Sequence, residues 1–447
     1  MTYSLKPKYH FFPITGWIND PNGLIQYQGK YHLFYQFNPS RPEWGPMHWG
    51  HAVSTNLFNW QHLPVALYPE ETFEENDMSG IFSGSAIEKD DLLYLMYTQF
   101  FDPKCYENHP KEQQCIAYSN NGIDFEKLSN NPVISAPPTP LFHDYRDPKV
   151  WKGKDNRYHC VLGTGESGVP KVIHYSSPDL INWHYKGTLI ELDPEEFGPI
   201  IECPDFFQLE DRWVLVFSAG FLTEGARKNY YIIGDFLNNH FHPSFFGELD
   251  IGNDLYAAQT FLDDQKRRIL IAWVHTPERY NYTKDEGWAG IMSLPRELTL
   301  NKDGLSQTPV REIQQFYHKE RALEVKDEVI QIHSFSNCFV LNAQNIGNSC
   351  AIRFENTTDY LEFQVTENSL TLEEKRNGKN EYKDFYELDF TIDSLRIFID
   401  HSSCEVFINN GKATCTWRIY PLDNYTSLIL NNIPKDCLTI NRINPSI

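Results

Sequence analysis

Apolar runs of strand length, separated by tight polar turns, recur along the first 300 or so residues. Gly23–Tyr27 and Tyr31–Gln36 flank Gln28-Gly29-Lys30. The same strand–turn–strand shape returns at Ser85–Thr98 around Lys89-Asp90-Asp91, and at Pro148–Gly163 with its turn between Lys152 and Asn156. It returns again at Asp205–Ser218 around Leu209-Glu210-Asp211, and at Gln259–Trp273 around Asp263-Asp264-Gln265. Apolar runs bounded by such turn residues predict β-hairpins. Matched positions just inside each unit, Leu24, Ala86, Lys149, Phe206 and Thr260, stand 62, 63, 57 and 54 residues apart. A second motif keeps this register: Ser54–Trp60 and Ser177–Trp183 share Ser, Leu and Trp at matched offsets, and Ser119–Phe125 is a weaker copy. A period near 60 residues with about four strands per unit predicts a five-bladed β-propeller.

Past Gly287–Leu298 the pattern changes. Residues 301–325 read as a linker with helical character from Val310 to Tyr317. Short alternating strands resume from 326: Ala351–Asn356, Tyr360–Thr366, Arg396–Asp400, Cys404–Ile408 and Ser427–Leu430, with a charged turn expected over Glu373–Asp384. The expectation is an all-β chain. Residues 1–300 form the catalytic propeller, 301–325 the linker and 326–447 a β-sandwich without clustered chemistry.

Composition narrows the function. A formal net charge of −21 repels phosphate backbones and argues against nucleic acid as a partner. No apolar run approaches the roughly 20 residues that span a bilayer, so no membrane association is expected. Met1–Phe11 lacks the apolar core of a secretory signal. The nine cysteines are odd in number and form no C-x-x-C pair, which predicts reduced thiols and a cytoplasmic protein. Oligomeric state is not legible.

The chemistry lies in what precedes each repeat. The lead-ins are Asn19-Asp20-Pro21-Asn22, Phe82-Ser83-Gly84, Arg146-Asp147, Glu202-Cys203 and Tyr256-Ala257-Ala258. Equivalent positions of successive blades ring the central channel at one end, so these five stretches should meet in one pocket. Asp20, Asp147 and Glu202 would then face each other, an arrangement that is costly unless the charges are used. Calcium sites gather oxygen ligands close in sequence, unlike this set, and His48 and His51 have no evident third ligand. No metal and no cofactor are expected. Paired carboxylates with separated pKa values suit glycoside hydrolysis. Donors around Asp20 should keep it ionised, Glu202 should hold a proton, and neighbouring Arg146 should keep Asp147 charged.

These motifs resemble glycoside hydrolase family 32, the β-fructofuranosidases. The matching residues are Trp17–Gly23, Tyr35-Gln36, Asn38-Pro39, Trp44-Gly45, His48–His51, Phe82–Ser85, Arg146–Pro148, Glu202–Pro204, Tyr256–Gln259, Gly287–Leu298 and Asp400–Phe407. The resemblance implies a propeller followed by a sandwich. It implies that Asp20 is the nucleophile, Glu202 the acid/base and Asp147 the transition-state stabiliser. Asn19, Gln36, Trp44, Phe82, Ser83, Arg146 and Tyr256 are the implied fructose contacts. The implied substrate is a small sugar: sucrose, sucrose 6-phosphate or a short fructo-oligosaccharide. Two other readings stay open, an inverting pentosidase on a similar propeller and a non-catalytic fructan-binding protein. The leaving-group preference is expected in loops 70–77, 101–111 and 278–285.

Overall fold

The computed structural model describes residues 3–69, 78–107, 109–220, 227–276, 279–319, 324–326, 329–331, 336–347, 349–434 and 437–445. It separates into two compact units. One comprises Phe12–Leu249 with Leu255–Gly304, the other Met1–Phe11, Asp250–Asp254 and Leu305–Ile447.

The larger unit is a five-bladed β-propeller. Blade 1 runs through Gly16–Tyr27, Lys30–Asn38, His48–Ser54 and Trp60–Leu67 as an antiparallel meander. Blade 2 uses Gly80–Lys89, Leu92–Phe100, Glu112–Ser119 and the short Glu126–Lys127. Blade 3 comprises Phe142–Lys152, Tyr158–Glu166, Val169–Ser177 and His184–Glu191, and blade 4 comprises Ile200–Leu209, Arg212–Gly220, Lys228–Leu237 and His240–Glu248. Blade 5 is built on Leu255–Leu262, Arg268–Val274 and Arg296–Asn301. Trp288-Ala289 pairs in parallel with Gly16-Trp17, so the last segment of the unit closes onto its first strand.

The hairpin turns fall where the polar residues predict them. Gln28-Gly29 and Asp90-Asp91 take positive φ (48° and 76°; 51° and 63°), as does Glu210 at 55°. Two-residue turns with both φ positive match the right-handed twist of paired strands. The Ser…Trp motif also has a mechanism. Asn56 Oδ1 accepts from the amides of Phe58 and Asn59, Asn121 Oδ1 from Ile123 and Asp124, and Asp179 Oδ1 from Ile181 and Asn182. All three loops join the third and fourth strands of a blade. Each carries a left-handed residue at the same offset: Leu57, Gly122 or Leu180, with φ of 68°, 70° and 75°.

Blades stack through apolar faces. Phe34 and Trp49 of blade 1 are buried with Leu93, Leu95 and Tyr97 of blade 2, and Val161 and Val172 of blade 3 with Phe206, Leu215 and Phe217 of blade 4. This interleaving fixes the blade orientations and hence the inner edges that carry the polar lead-ins.

The smaller unit holds two sheets, one of six strands and one of seven, around a shared apolar core. Strands occur at Ser349–Glu355, Tyr360–Thr366, Ser394–Asp400, Ser403–Ile408 and Ser427–Asn431. The charged stretch Glu373–Asp384 is mostly strand rather than turn. Ser369–Arg376 and Lys379–Glu387 pair across Asn377-Gly378, and alternate side chains such as Leu370 and Leu372 reach the core. Period two hides a half-buried strand whose outer face is charged throughout. Arg311–Phe316 is a short 3₁₀ helix, flanked by strands Gly304–Pro309 and Tyr317–Lys319.

Candidate active site

Each innermost strand passes between two cavities. Asn19, Phe82, Arg146, Glu202 and Tyr256 line one of about 490 Å³, while Leu24, Ala86, Lys149, Asp205 and Thr260, further along the same strands, line another of about 1080 Å³. The five strands therefore ring a common channel. The larger cavity does not carry the converging acids. The smaller one does: Asp20, Asp147 and Glu202 all line it, as do Asn19, Gln36, Trp44, Phe82, Ser83, Arg146 and Tyr256. Trp17, Phe100, Lys111, Cys203, Arg227 and Trp273 complete the wall.

β-Bulges aim these side chains. In blades 3, 4 and 5 the pairing slips between Arg146 and Lys149, Glu202 and Asp205, and Tyr256 and Gln259. Asp147, Cys203 and Ala257 occupy the bulge with φ of 62°, 50° and 52°. Bulges re-aim side chains and are favoured beside active sites. Arg146, Glu202 and Tyr256 thus hold one position in three consecutive blades, and they touch in a row. Arg146 Nη2 donates to Glu202 Oε1 at 3.0 Å, and the Tyr256 hydroxyl donates to Glu202 Oε2 at 2.6 Å. The level below repeats the device: Lys149 Nζ reaches Asp205 Oδ2 at 2.9 Å and Gln259 Oε1 at 3.0 Å.

Asp147 comes from the bulge position itself. Its Oδ2 accepts the backbone N–H of Cys203 at 2.8 Å, and its own N–H donates to Thr98 Oγ1 at 3.1 Å. Asp20 belongs to a separate slip in blade 1, between Ile18 and Pro21. Asp20 Oδ1 accepts from Asn19 Nδ2 at 3.1 Å, and Oδ2 from Ser83 Oγ at 2.7 Å and Cys203 Sγ at 3.5 Å. Trp17 Nε1 in turn fixes Asn19 Oδ1 at 2.9 Å. Phe82 stacks on Phe100 at 4.3 Å and meets Trp44, an exposed ring at the rim, edge-on at 6.3 Å. Gln36 Nε2 donates to the Ile81 carbonyl at 2.9 Å.

The electrostatics depart from the sequence expectation at both aspartates: the donors around Asp20 and the neighbouring Arg146 were expected to keep Asp20 and Asp147 charged, and burial raises both. Arg146 was expected to serve Asp147, its neighbour in sequence. Its guanidinium instead contacts Glu112, Asp144 and Glu202, because the bulge turns the two side chains apart. Burial raises the Asp147 carboxyl to about 7; Arg146 opposes this, while the charges of Asp20 and Glu202 add to it. Burial also raises Asp20, partly offset by Ser83 and Asn19. Burial opposes the charge of Arg146, but Glu112, Glu202, Asp147 and Asp144 outweigh it and hold the guanidinium ionised.

Several contributors carry no sequence signal. Glu112 opens an ordinary strand, yet its carboxylate takes Arg146 Nη1 at 2.7 Å and the Tyr145 amide at 2.6 Å. Gly220 approaches Glu202 so closely that a Cβ there would stand 2.8 Å from Oε2. Cys203 bridges all three acids through its side chain, its amide and its place in the chain. Among the described residues no group of three or more His, Cys, Asp or Glu could hold a metal ion. His51 instead pairs with His32 at 3.1 Å and stacks on Phe34 at 4.1 Å. Loop 70–77 lies outside the described residues, as do 108 and 278 of the other two loops.

This geometry agrees with what the chain is similar to. Residues 10–309 match the glycosyl hydrolases family 32 N-terminal domain and residues 330–436 the glycosyl hydrolases family 32 C terminal. The chain belongs to glycosyl hydrolase family 32. It is an enzyme of the β-fructofuranosidase type. A sucrose-6-phosphate hydrolase of Escherichia coli is 37% identical over 93% of this chain and 89% of its own length. A raffinose invertase of Escherichia coli is 36% identical, with 93% and 89% covered. A Bombyx mori GH32 β-fructofuranosidase variant in complex with sucrose superposes with a TM-score of 0.83 at 31% identity, covering 98% of this chain and 93% of that one.

Proposed function

We propose that the chain releases terminal β-D-fructofuranosyl units from sucrose, sucrose 6-phosphate or short fructo-oligosaccharides by double displacement, with its catalysis residing in the propeller. Asp20 attacks the anomeric carbon while Glu202 protonates the leaving oxygen. Asp147 holds the ring hydroxyls as positive charge builds on the sugar. Asn19, Gln36, Trp44, Phe82, Ser83, Arg146 and Tyr256 hold the fructose. Glu202 then takes a proton from water, which attacks the fructosyl-enzyme and frees Asp20 with the anomeric configuration retained. The observation that carries this reading is the meeting of three carboxylates on one cavity wall, each held by a different donor set. Burial pushes both Asp20 and Asp147 up, with the Ser83 and Asn19 hydrogen bonds opposing it at Asp20 and the Arg146 charge opposing it at Asp147.

No helix among the described residues is long and apolar enough to cross a membrane. The nine cysteines carry no disulfide, which supports placing the protein in a reducing cytoplasm.

Three variants test the roles. Asp20→Ala should abolish turnover of every substrate. Glu202→Ala should lose sucrose hydrolysis by about 10²–10⁴-fold, while a fructosyl fluoride, whose leaving group needs no proton, still forms the fructosyl-enzyme. Azide should then release fructosyl azide of retained configuration. Asp147→Asn should slow both substrates. A Glu202→Ala enzyme that loses both substrates equally and ignores azide overturns the assignment.

A further inference from the structure

A second polar tier lies further along the inner strands of blades 3, 4 and 5, just past the bulges that carry Asp147, Cys203 and Ala257. Lys149, Asp205 and Gln259 make it up. The Lys149 ammonium has three hydrogens and meets three acceptors: Asp205 Oδ2 at 2.9 Å, Gln259 Oε1 at 3.0 Å and the Thr260 carbonyl at 2.6 Å. Asp205 Oδ2 also takes the Thr260 amide at 2.5 Å. The Lys149 side chain is 12% exposed and that of Asp205 is inaccessible. Lys149 and Asp205 line the larger cavity, and neither Lys149 nor Gln259 lines the smaller one. The tier therefore does not touch a sugar held among the three carboxylates.

It reaches them through the amide of Gln259. Gln259 Nε2 donates to the Cys203 carbonyl at 2.8 Å. The other side of Cys203 serves the acids: its N–H donates to Asp147 Oδ2 at 2.8 Å, and its Sγ stands 3.5 Å from Asp20 Oδ2. Cys203 has φ of 50°, a left-handed conformation that a residue with a Cβ disfavours. Such a residue keeps its conformation only where its surroundings hold it. The angle φ sets how the N–H and the carbonyl of one residue point relative to each other. Relaxing Cys203 to a negative φ would break either its bond to Asp147 or its bond to Gln259. The lysine matters because it fixes which end of the amide faces Cys203. An ammonium accepts nothing, so Gln259 must turn Oε1 toward it and Nε2 toward the carbonyl.

We propose that Gln259 is a positioning residue for the hydrolysis: oriented by Lys149, it locks the Cys203 peptide and thereby aims the Asp147 carboxyl at the sugar. The proposal rests on the reading of Asp147 as the group that holds the ring hydroxyls.

The test is a double-variant cycle between Gln259→Met and Asp147→Asn, read as kcat/KM for sucrose on protein shown to be folded by its melting transition. Methionine fills a similar volume and has no amide to donate. Gln259→Met should lose about tenfold or more in the wild-type background, since small misplacements of catalytic groups are costly. In the Asp147→Asn background the charge to be aimed is already gone, and the same change should cost about threefold or less. Formation of the fructosyl-enzyme from fructosyl fluoride should fall alongside sucrose hydrolysis, because Asp147 serves both substrates. Lys149→Met frees the Gln259 amide to turn and should show the same coupling to Asp147. Its melting temperature should drop further, because Asp205 is left buried without its cation. An equal factor lost in both backgrounds, or no loss in either, would reduce Gln259 to a packing residue and overturn the proposal. An Asp147→Asn enzyme with wild-type rates would overturn the reading of Asp147 itself, and the proposal with it.

Discussion

Tyr256 donates its hydroxyl proton to Glu202 Oε2 at 2.6 Å, although the two residues belong to different blades and occupy the same position in each. Repetition of one bulge in successive blades therefore does more than gather side chains. It sets Arg146, Glu202 and Tyr256 side by side, so that the carboxylate of the middle blade is clamped from both neighbours.

Removing one jaw of that clamp should show in the proton transfer proposed for Glu202. Tyr256→Phe leaves the ring and deletes a hydrogen bond to a charged group, an interaction worth about 1.5–3 kcal/mol. Sucrose hydrolysis should fall about tenfold to hundredfold. Formation of the fructosyl-enzyme from fructosyl fluoride should fall much less, because that step needs little protonation. Single-turnover rates on the two substrates make the comparison, and an equal fall on both would show that Tyr256 serves fructose binding alone.

Gly220 offers a second handle on the same carboxylate. Its backbone has no positive φ, so alanine fits the strand. The added Cβ would press on Glu202 Oε2 at 2.8 Å and on Glu202 Cδ at 3.2 Å. Glu202 is held by Arg146 and Tyr256 and has nowhere equivalent to go. Gly220→Ala should keep its melting temperature within a few degrees while losing at least about tenfold in kcat, since small misplacements of catalytic groups are costly. Full activity in this variant would mean that the carboxylate has slack the hydrogen bonds do not suggest.

Asp147 links function to stability with a definite sign. Its carboxyl is raised from 3.8 to about 7 in the folded protein, so the folded state binds the proton more tightly than the unfolded one. Stability referable to Asp147 is present below about 3.8, declines as pH rises, and is gone above about 7. Asn keeps the shape, accepts the Cys203 amide and tolerates the left-handed backbone at φ 62°. Asp147→Asn should therefore melt higher than wild type, by about 2 °C or more at pH 8. The gap should close toward pH 4, and the variant should hydrolyse sucrose poorly throughout. A variant that melts lower at pH 8 would remove the burial argument.

How much of this the chain announces depends on what carries the signal. The five lead-ins and the Ser…Trp loops are local, so periodicity exposes them and the channel follows. The partner of Arg146 is not local. Asp147 is the adjacent residue, yet the one-residue bulge sends the guanidinium to Glu202, 56 positions away. A pattern of residue types does not encode a register slip. Glu112 and Gly220 were unreadable for a similar reason, since each acts through a single approach made possible by blade packing. In the sandwich, Glu373–Asp384 reads as a solvated turn because, apart from Tyr382, it holds only charged residues, Asn and Gly. Only the pairing of Ser369–Arg376 with Lys379–Glu387 reveals two strands.

The smaller unit carries a buried charge cluster whose titration should be measurable by itself. His10 lies with Nδ1 at 2.8 Å from Asp400 Oδ2 and Nε2 at 2.8 Å from Glu405 Oε1, all three side chains being inaccessible. Burial opposes its charge, but the two carboxylates win and raise the imidazole from 6.5 to about 9. For a raised histidine the stabilisation is complete below about 6.5 and is lost as pH climbs through about 9. Asp400 also takes the amides of Lys8, Tyr9 and His10 at 2.7, 2.9 and 3.0 Å, so the N-terminal segment is pinned through the same carboxylate. The wild-type melting temperature should fall between pH 6.5 and 9, and proteolysis near residues 3–11 should accelerate over the same window. His10→Ala strands two buried carboxylates, a loss of about 3–5 kcal/mol where the histidine was charged. Its melting temperature should be low at pH 6 and show little of that decline on the alkaline side. Parallel alkaline declines in wild type and variant would assign the titration to a different group.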